Sequence, residues 1–274
     1  MRSPPLVSIC IPSYNSEEFI ATTLESLLGQ SFTDFEVVIS DDKSTDRTIS
    51  KIKSFNDPRI SLIQNEQNLG LGGNWNKVLS YARGEYVKLL GDDDVLYREC
   101  LSRQVAALEN PVNAGAVLAI CNRNVINARN EVVMRRRFPF GPGLVSGRKL
   151  IRNSIRWGSN LIGEPVVGLF RRRELSRSAM CDASNPYVID LALWAKLLKR
   201  GDAFIDADYL AAFRISREKT SAKIGRRQAA YFRDFVRAMR RDSFYRVSVF
   251  DMMPGYLLSA QWCLLRNLFI HSAC

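Results

Sequence analysis

The sequence predicts an α/β fold: a mostly parallel central sheet flanked by helices, followed by a helical C-terminal extension. Three observations predict it. Short β-branched runs alternate with helix-length amphipathic segments from residue 6 to about residue 90, the pattern of βαβ units and parallel strands. No linker or low-complexity break interrupts residues 97–222, so this half completes the domain begun by residues 1–96. Beyond Thr220 the chain turns basic and amphipathic, setting residues 223–274 apart as a tail.

The elements follow in order. "LVSICI" (6–11) is a strand, and 17–28 a helix with Phe19, Ile20, Leu24, Leu27 and Leu28 on one side. "FEVVIS" (35–40) is the second strand, followed by a helix capped by Ser44 or Thr45 with Ile49 and Ile52 inward. Then come strand "ISLIQ" (60–64), a helix through Trp75, Val78 and Leu79, and strand "EYVKLL" (85–90). After Tyr97 the expected elements are helix 99–108, strand "GAVLAI" (115–120) and an irregular basic segment "MRRRFPFGPG" (134–143). Helix 146–156, strand "EPVVGLFR" (164–171) and a helix around 191–199 complete the domain. In the tail, Lys223, Arg226, Arg227, Arg233, Arg237, Arg240 and Arg241 interleave with Tyr231, Phe232, Phe235, Val236 and Met239.

Composition narrows the function classes. With 274 residues, 46% of them hydrophobic and 24% charged, the chain can bury a sizeable core, which argues against disorder. The net charge of +11 calls for an anionic partner: nucleic acid, a phosphate-bearing substrate or an anionic membrane. Six scattered cysteines without a C-x-x-C pair signal neither a zinc site nor a disulfide framework, which suits a reducing cytosol. The start "MRSPPLVSIC" lacks the pattern of a secretory signal. The longest apolar run, "MMPGYLLSAQWCLL" (252–265), falls short of the roughly 18 residues of a spanning helix. A cytoplasmic protein is expected, soluble or lying on a surface.

In a sheet of this kind, ligands bind outside the carboxyl ends of the strands. Those ends carry Pro12, Ser13, Tyr14 and Asn15, then Asp41 and Asp42, then Asn65 and Asn68, then Asp92, Asp93 and Asp94. Any one such loop reads equally as turn and cap chemistry. Four in succession read as a site. Adjacent carboxylates raise one another's pKa, and a divalent cation offsets this while it binds a substrate's phosphates. In an extended strand, Asp92 and Asp94 would face one way and Asp93 the other. A P-loop is absent, and "GLGG" lacks the dinucleotide context after strand one. Tyr14 offers an aromatic face to a base and Asp41 an acceptor to a ring N–H, although both also read as packing and capping residues.

The stretch "VSICIPSYNSEEFIATTLESLLGQSFTDFEVVISDDKSTD", followed by "NLGLGGNWN", "ARGEYVKLLGDDDVL" and "VIDLALWAKLLKRG", resembles the inverting family 2 glycosyltransferases. These have the GT-A fold of the nucleotide-diphospho-sugar transferases. The resemblance runs over residues 6–215. It implies transfer of a sugar from a UDP- or dTDP-sugar to a hydroxyl of a glycan or lipid-linked acceptor, with Mg2+ or Mn2+ as cofactor, in bacterial cell-surface polysaccharide synthesis. It places Pro12, Tyr14 and Asn15 at the nucleotide, Glu18 at an acidic position after the strand, Asp41 on the pyrimidine, and Asn68 and Asn76 beside the nucleotide. Asp92 and Asp93 fall at the D-x-D region, Asp93 as the leading metal ligand and Asp92 as ribose or metal neighbour. Gly91 stands where the usual "LDSDD" has its first aspartate.

Inverting transfer needs a general base, and His271, at the tail, is the only histidine. Asp190 opens the helix of Leu193, Trp194, Leu197 and Leu198, and by itself reads as an N-cap. The resemblance, with "LW" aligned to "EDxDLWLRL", implies that Asp190 is the base, with Ile189 in place of the preceding glutamate. It likewise implies an acceptor region with Glu164 and Trp194, and a diphosphate cation from Arg214 or Arg217. Two other classes compete: a nucleic-acid binder using the basic helix, and a non-catalytic relative. The acidic strand ends would repel a polyanion, and the retained carboxylates argue against lost catalysis. The tail reads as peripheral contact with an anionic bilayer at the inner face of the plasma membrane, or as a helix packed on the core.

Overall fold

The computed structural model describes residues 4–175, 181–215 and 227–273, with residues 264–273 as backbone only. The first half forms as expected. β1 (Val7–Ser13), α1 (Ile20–Leu28), β2 (Phe35–Asp41), α2 (Thr48–Ser54), β3 (Ile60–Gln64), α3 (Gly70–Ser80) and β4 (Tyr86–Leu89) alternate along the chain. Their strands pair in parallel in the order β3-β2-β1-β4. β1 and β2 are buried nearly throughout, as the unbroken apolar runs require of a sheet covered on both faces.

The second half is more mixed. It comprises β5 (Val95–Leu96), α4 (Cys100–Glu109), β6 (Ala116–Ile126), β7 (Val132–Arg136), β8 (Gly143–Val145), α5 (Gly147–Arg156), β9 (Gly168–Arg171), α6 (Ile189–Leu198) and β10 (Asp202–Arg214). The sheet continues β9-β6-β10-β5, with β10 parallel to β6 and β9 antiparallel to both β4 and β6.

Several boundaries depart from expectation for local reasons. β6 runs beyond Ile120 because its polar residues find partners: Asn122 Oδ1 accepts from Phe138 N at 2.8 Å, and Asn124 donates to the Tyr97 hydroxyl at 2.7 Å. β10, a 13-residue strand absent from the sequence reading, holds its alanines and aspartates in place by pairing with β6, β5 and β8. α2 starts at Thr48 with Arg47 at the N-cap position in place of Ser44 or Thr45, and Asp46 Oδ1 accepts from Thr48 N at 2.9 Å in the turn that leads in. Pro165–Val167 is a 3-10 turn, and the expected strand begins only at Gly168. Part of the segment read as irregular, from Met134, belongs to β7.

The tail is not detached. α7 (Gln228–Arg241) turns Phe232, Phe235 and Val236 into the core, which removes the aromatic face that a nucleic acid would stack on. Tyr245 donates its hydroxyl to Ala195 O, and Lys199 pairs with Asp242 at 2.7 Å. α8 (Val249–Ala273) crosses α5 at two glycines. A Cβ on Gly158 (φ +64°) would meet Gly255 O and Ser259 N at 2.5 Å, and a Cβ on Gly255 would overlap Ile155 O. Over the described residues, the packed reading of the tail therefore holds. Lys223 and Arg226 lie outside the described residues. No helix among the described residues is long and apolar enough to cross a membrane.

Asp251 locks this crossing. Its fully buried carboxylate accepts from Arg152 Nη2 at 2.8 Å, Arg156 Nη2 at 2.6 Å and Ser248 Oγ at 2.9 Å. Burial raises its pKa, but the bonds from Ser248, Arg156 and Arg152 prevail and hold it down at about 2, from the usual 3.8. A depressed carboxyl contributes stability that is present above the unfolded value and lost as pH falls towards about 2. The shift is worth on the order of 2 kcal/mol. Asp251→Asn is expected to lower Tm by roughly 4–8 °C at pH 7, with the gap to wild type closing between about pH 4 and pH 2 in thermal melts. A gap independent of pH would contradict the assignment.

Candidate active site

The three aspartates do not alternate along a strand. After β4 the chain makes a tight turn, Asp94 N donating to Gly91 O at 3.3 Å, so strand alternation does not set the carboxylates' directions: Asp93 Oδ1 and Asp94 Oδ2 both lie towards Gly91. Asp92 Oδ2 accepts from Tyr14 N at 3.1 Å and joins this turn to the mouth of β1. Thr23 on α1 donates from one hydroxyl towards Asp92 O (3.1 Å) and Asp94 O (2.9 Å). Asp94 is 2% exposed, and its Oδ1 accepts from Arg214 N at 3.0 Å, so it orients the loop. Burial first, and the neighbouring Asp93 second, push the Asp92 carboxyl up to about 6. A cation beside the Asp92 carboxyl would favour its ionised form.

Arg214 does not supply that charge as a ligand-facing cation. It is fully buried at the end of β10, donating Nε to Asp93 O (2.8 Å), Nη1 to Asn127 O (2.7 Å) and Nη2 to Asn130 Oδ1 (2.7 Å). Its guanidinium lies 4.4 Å over the Phe19 ring. Desolvation lowers its pKa, opposed by Asp93, Asp94 and Glu18. The expected role at the acceptor or diphosphate is thus corrected: Arg214 holds the aspartate turn from behind. Arg217 lies outside the described residues.

The mouths of β1 and β2 form the adjacent wall. Tyr14 is 51% exposed, with its ring open to stacking. Asn15 adopts a left-handed conformation (φ 49°), donating its N–H to Ser44 Oγ at 2.9 Å and accepting from Thr45 N at 2.8 Å. Pro12 is half-buried and Glu18 exposed. Asp41 is buried, with Oδ1 accepting from Ser44 N at 3.0 Å and Oδ2 without a hydrogen-bond partner among the described residues. A buried unpaired carboxylate oxygen is costly, and a ligand N–H would relieve it. Asp42 instead caps α3, accepting from Leu69 N (2.8 Å) and Gly70 N (2.9 Å), while Asn68 Nδ2 donates to Asp42 O at 3.0 Å.

Asn76 does not reach towards this wall. Its amide exchanges two hydrogen bonds with the backbone of Cys181, at 2.9 and 2.8 Å. The asparagine of that segment serving the strand mouths is Asn74, buried at 3%, which donates to Ser40 O (2.9 Å) and accepts from Asn65 Nδ2 (3.1 Å). Its place on the same inward side of α3 as Trp75 and Val78 was the available signal. Asn76 has a different use: with the close approach of Gly72 to Ala183, it fastens the 181–183 segment, which leads into α6, onto the nucleotide half.

Asp190 sits in the first turn of α6, with Oδ1 accepting from Leu191 N at 2.7 Å and Oδ2 from Asn160 Nδ2 at 2.9 Å. Asn160 also donates to Gly163 O (3.0 Å) and accepts from Ile162 N and Gly163 N (both 3.0 Å), so one side chain shapes the loop and orients the carboxylate. Glu164 pairs with Arg123, whose guanidinium packs where a Cβ on Gly163 (φ +108°) would stand. Neither Asn160 nor Arg123 stood out in sequence. The Asn-then-Gly spacing of "NLIG" was the only cue to the first, and an arginine past the apolar run of β6 to the second. Trp194 is corrected from acceptor contact to core: it is fully buried, donates Nε1 to Gly163 O at 2.8 Å and meets Phe170 edge-on.

The chain belongs to glycosyl transferase family 2, whose model matches residues 8–175. It is 30% identical over 239 residues to the Escherichia coli UDP-Glc:alpha-D-GlcNAc-diphosphoundecaprenol beta-1,3-glucosyltransferase WfgD, covering 84% of this chain and 87% of that one. It is 29% identical over 221 residues to the putative teichuronic acid biosynthesis glycosyltransferase TuaG of Bacillus subtilis, covering 80% and 82%. Among solved structures, S. aureus TarS 1-349 in complex with UDP-GlcNAc shares the fold at a TM-score of 0.69 and 19% identity, over 97% of this chain and 72% of that one. The Pyrobaculum calidifontis mannosyltransferase PcManGT in complex with GDP-Man and Mn2+ does so at 0.63 and 18%, over 99% and 73%.

Proposed function

We propose that this glycosyltransferase moves a sugar, with inversion, from a UDP-sugar to a hydroxyl of a lipid-linked glycan in bacterial cell-surface polysaccharide synthesis. The observation that carries the proposal is the Asp92–Tyr14 link, which sets the acidic turn beside an open aromatic ring and the unsatisfied Asp41 oxygen. Tyr14 stacks on the base and Asp41 Oδ2 accepts its ring N–H. The names of WfgD and of the TarS complex favour UDP over dTDP.

Among the described residues, no group of three or more His, Cys, Asp or Glu side chains stands ready for a metal. Asp92 and Asp93 still fit Mg2+ or Mn2+, because a substrate diphosphate and water complete such a shell around one or two carboxylates. The raised pKa of Asp92 supports this. Asp93 and Asp92 would hold the ion, which when bound neutralises charge on the leaving diphosphate. Asp190, oriented by Asn160, takes the proton of the acceptor hydroxyl as that oxygen attacks the anomeric carbon and the diphosphate departs.

The test is incubation with α-linked UDP-glucose or UDP-N-acetylglucosamine, Mn2+ and a lipid-diphosphate-linked acceptor, with the product anomer read by NMR. A β-linked product that disappears with EDTA is expected. An α-linked product overturns inversion, and undiminished turnover in EDTA overturns the metal.

A further inference from the structure

α8 has two opposite faces, and the core uses only one. Asp251, Met252, Gly255, Ser259 and Cys263 are buried against the domain. On the other side stand Phe250 (83% exposed), Met253 (64%) and Leu257 (70%), spaced i, i+3, i+7. Three large apolar side chains in one stripe are an exposed patch that needs an explanation.

The surrounding charge points to its occupant. Residues 223–274 carry nine Lys and Arg against three acidic residues, a net of six positive charges out of the chain's eleven. The single acidic residue of α8 is Asp251, already buried and paired with Arg152 and Arg156. No carboxylate therefore stands on the exposed stripe. Exposed Arg240 reaches the buried side of the helix at Met252 Sδ (3.5 Å), and exposed Arg246, in a left-handed turn (φ 48°), lies three residues before the helix's first residue, Val249. An apolar stripe on a net-basic tail, with an exposed arginine just before the helix, is complementary to a bilayer with anionic headgroups: the side chains enter the acyl boundary and basic groups of the tail meet phosphate. We infer that α8, held on the core by Asp251, presents Phe250, Met253 and Leu257 as a built-in contact for an anionic membrane surface. Packing and membrane contact are then two faces of one helix. The inference is independent of the donor, metal and base assigned above.

The experiment is co-sedimentation of the full chain with vesicles of phosphatidylcholine alone and with an equal share of phosphatidylglycerol, beside a Phe250→Ser/Met253→Ser/Leu257→Ser variant. The wild type should bind the phosphatidylglycerol vesicles, with binding weakened by salt. The variant should bind at least tenfold less, while its melting curve and its turnover of soluble donor stay unchanged. Equal binding by the two proteins overturns the inference. So does a wild type that ignores vesicles yet dimerises in sedimentation velocity while the variant stays monomeric, since the stripe would then serve a second copy of the chain.

Discussion

Asp190→Asn is expected to lower kcat by about 10²- to 10⁴-fold, the range that a positioned general base contributes, with the donor KM changed little. The asymmetry follows from position. The groups proposed to bind the donor, Tyr14, Asp41 and Asp92, belong to the mouths of β1, β2 and β4, whereas Asp190 opens α6 and is oriented by Asn160 from a separate loop. Asparagine preserves the volume and can keep a hydrogen bond to Asn160, so the fold should survive and the loss should fall on the transition state. The measurement is steady-state turnover with the full chain, supported by binding of the donor to the variant. Retained turnover would remove Asp190 from the base position, and lost donor binding would place it in the donor pocket instead.

How far the site was legible follows from where each partner lies along the chain. The strand-end residues 12–15, 41–42 and 92–94 could be read because a βα unit brings its own loop to the carboxyl edge, so local pattern and final position agree. Arg214 could not be placed in this way. It meets Asp94 from 120 residues away, along a strand whose alanines and aspartates give no β signal. Trp194 was misread for a related reason. An aromatic residue near the proposed base looks accessible in one dimension, but on α6 it projects towards Phe170 and Gly163. Asn76 and Asn74 differ by two positions on one helix, which turns one amide to the strand mouths and the other to Cys181. The tail divided similarly. Amphipathicity was evident in sequence, but the face the core takes is set by contacts with α5, at Gly255 and at the Asp251 pairs with Arg152 and Arg156.

The absence of the family's first aspartate at Gly91 has a physical origin, and restoring it should harm the enzyme. A Cβ on Gly91 would lie 2.8 Å from Asp94 Oδ2 and 3.2 Å from Asp93 Oδ1. The Asp94 carboxylate accepts from Arg214 N and its carbonyl from Thr23, so it cannot simply swing aside, while Arg214 holds Asp93 by its backbone carbonyl. Gly91→Asp thus combines overpacking with a further negative charge beside Asp92, already pushed up to about 6. A penalty of about 3 kcal/mol on the turn proposed to receive the diphosphate corresponds to about 10²-fold in kcat/KM. Gly91→Ala, which adds the clash without the charge, should lose about tenfold, corresponding to the lower part of the overpacking range. The two variants together separate shape from charge, with raised Mn2+ expected to recover part of the aspartate variant's loss and none of the alanine variant's. Wild-type turnover by Gly91→Asp would show that this chain tolerates the usual pattern and that the glycine answers no packing demand.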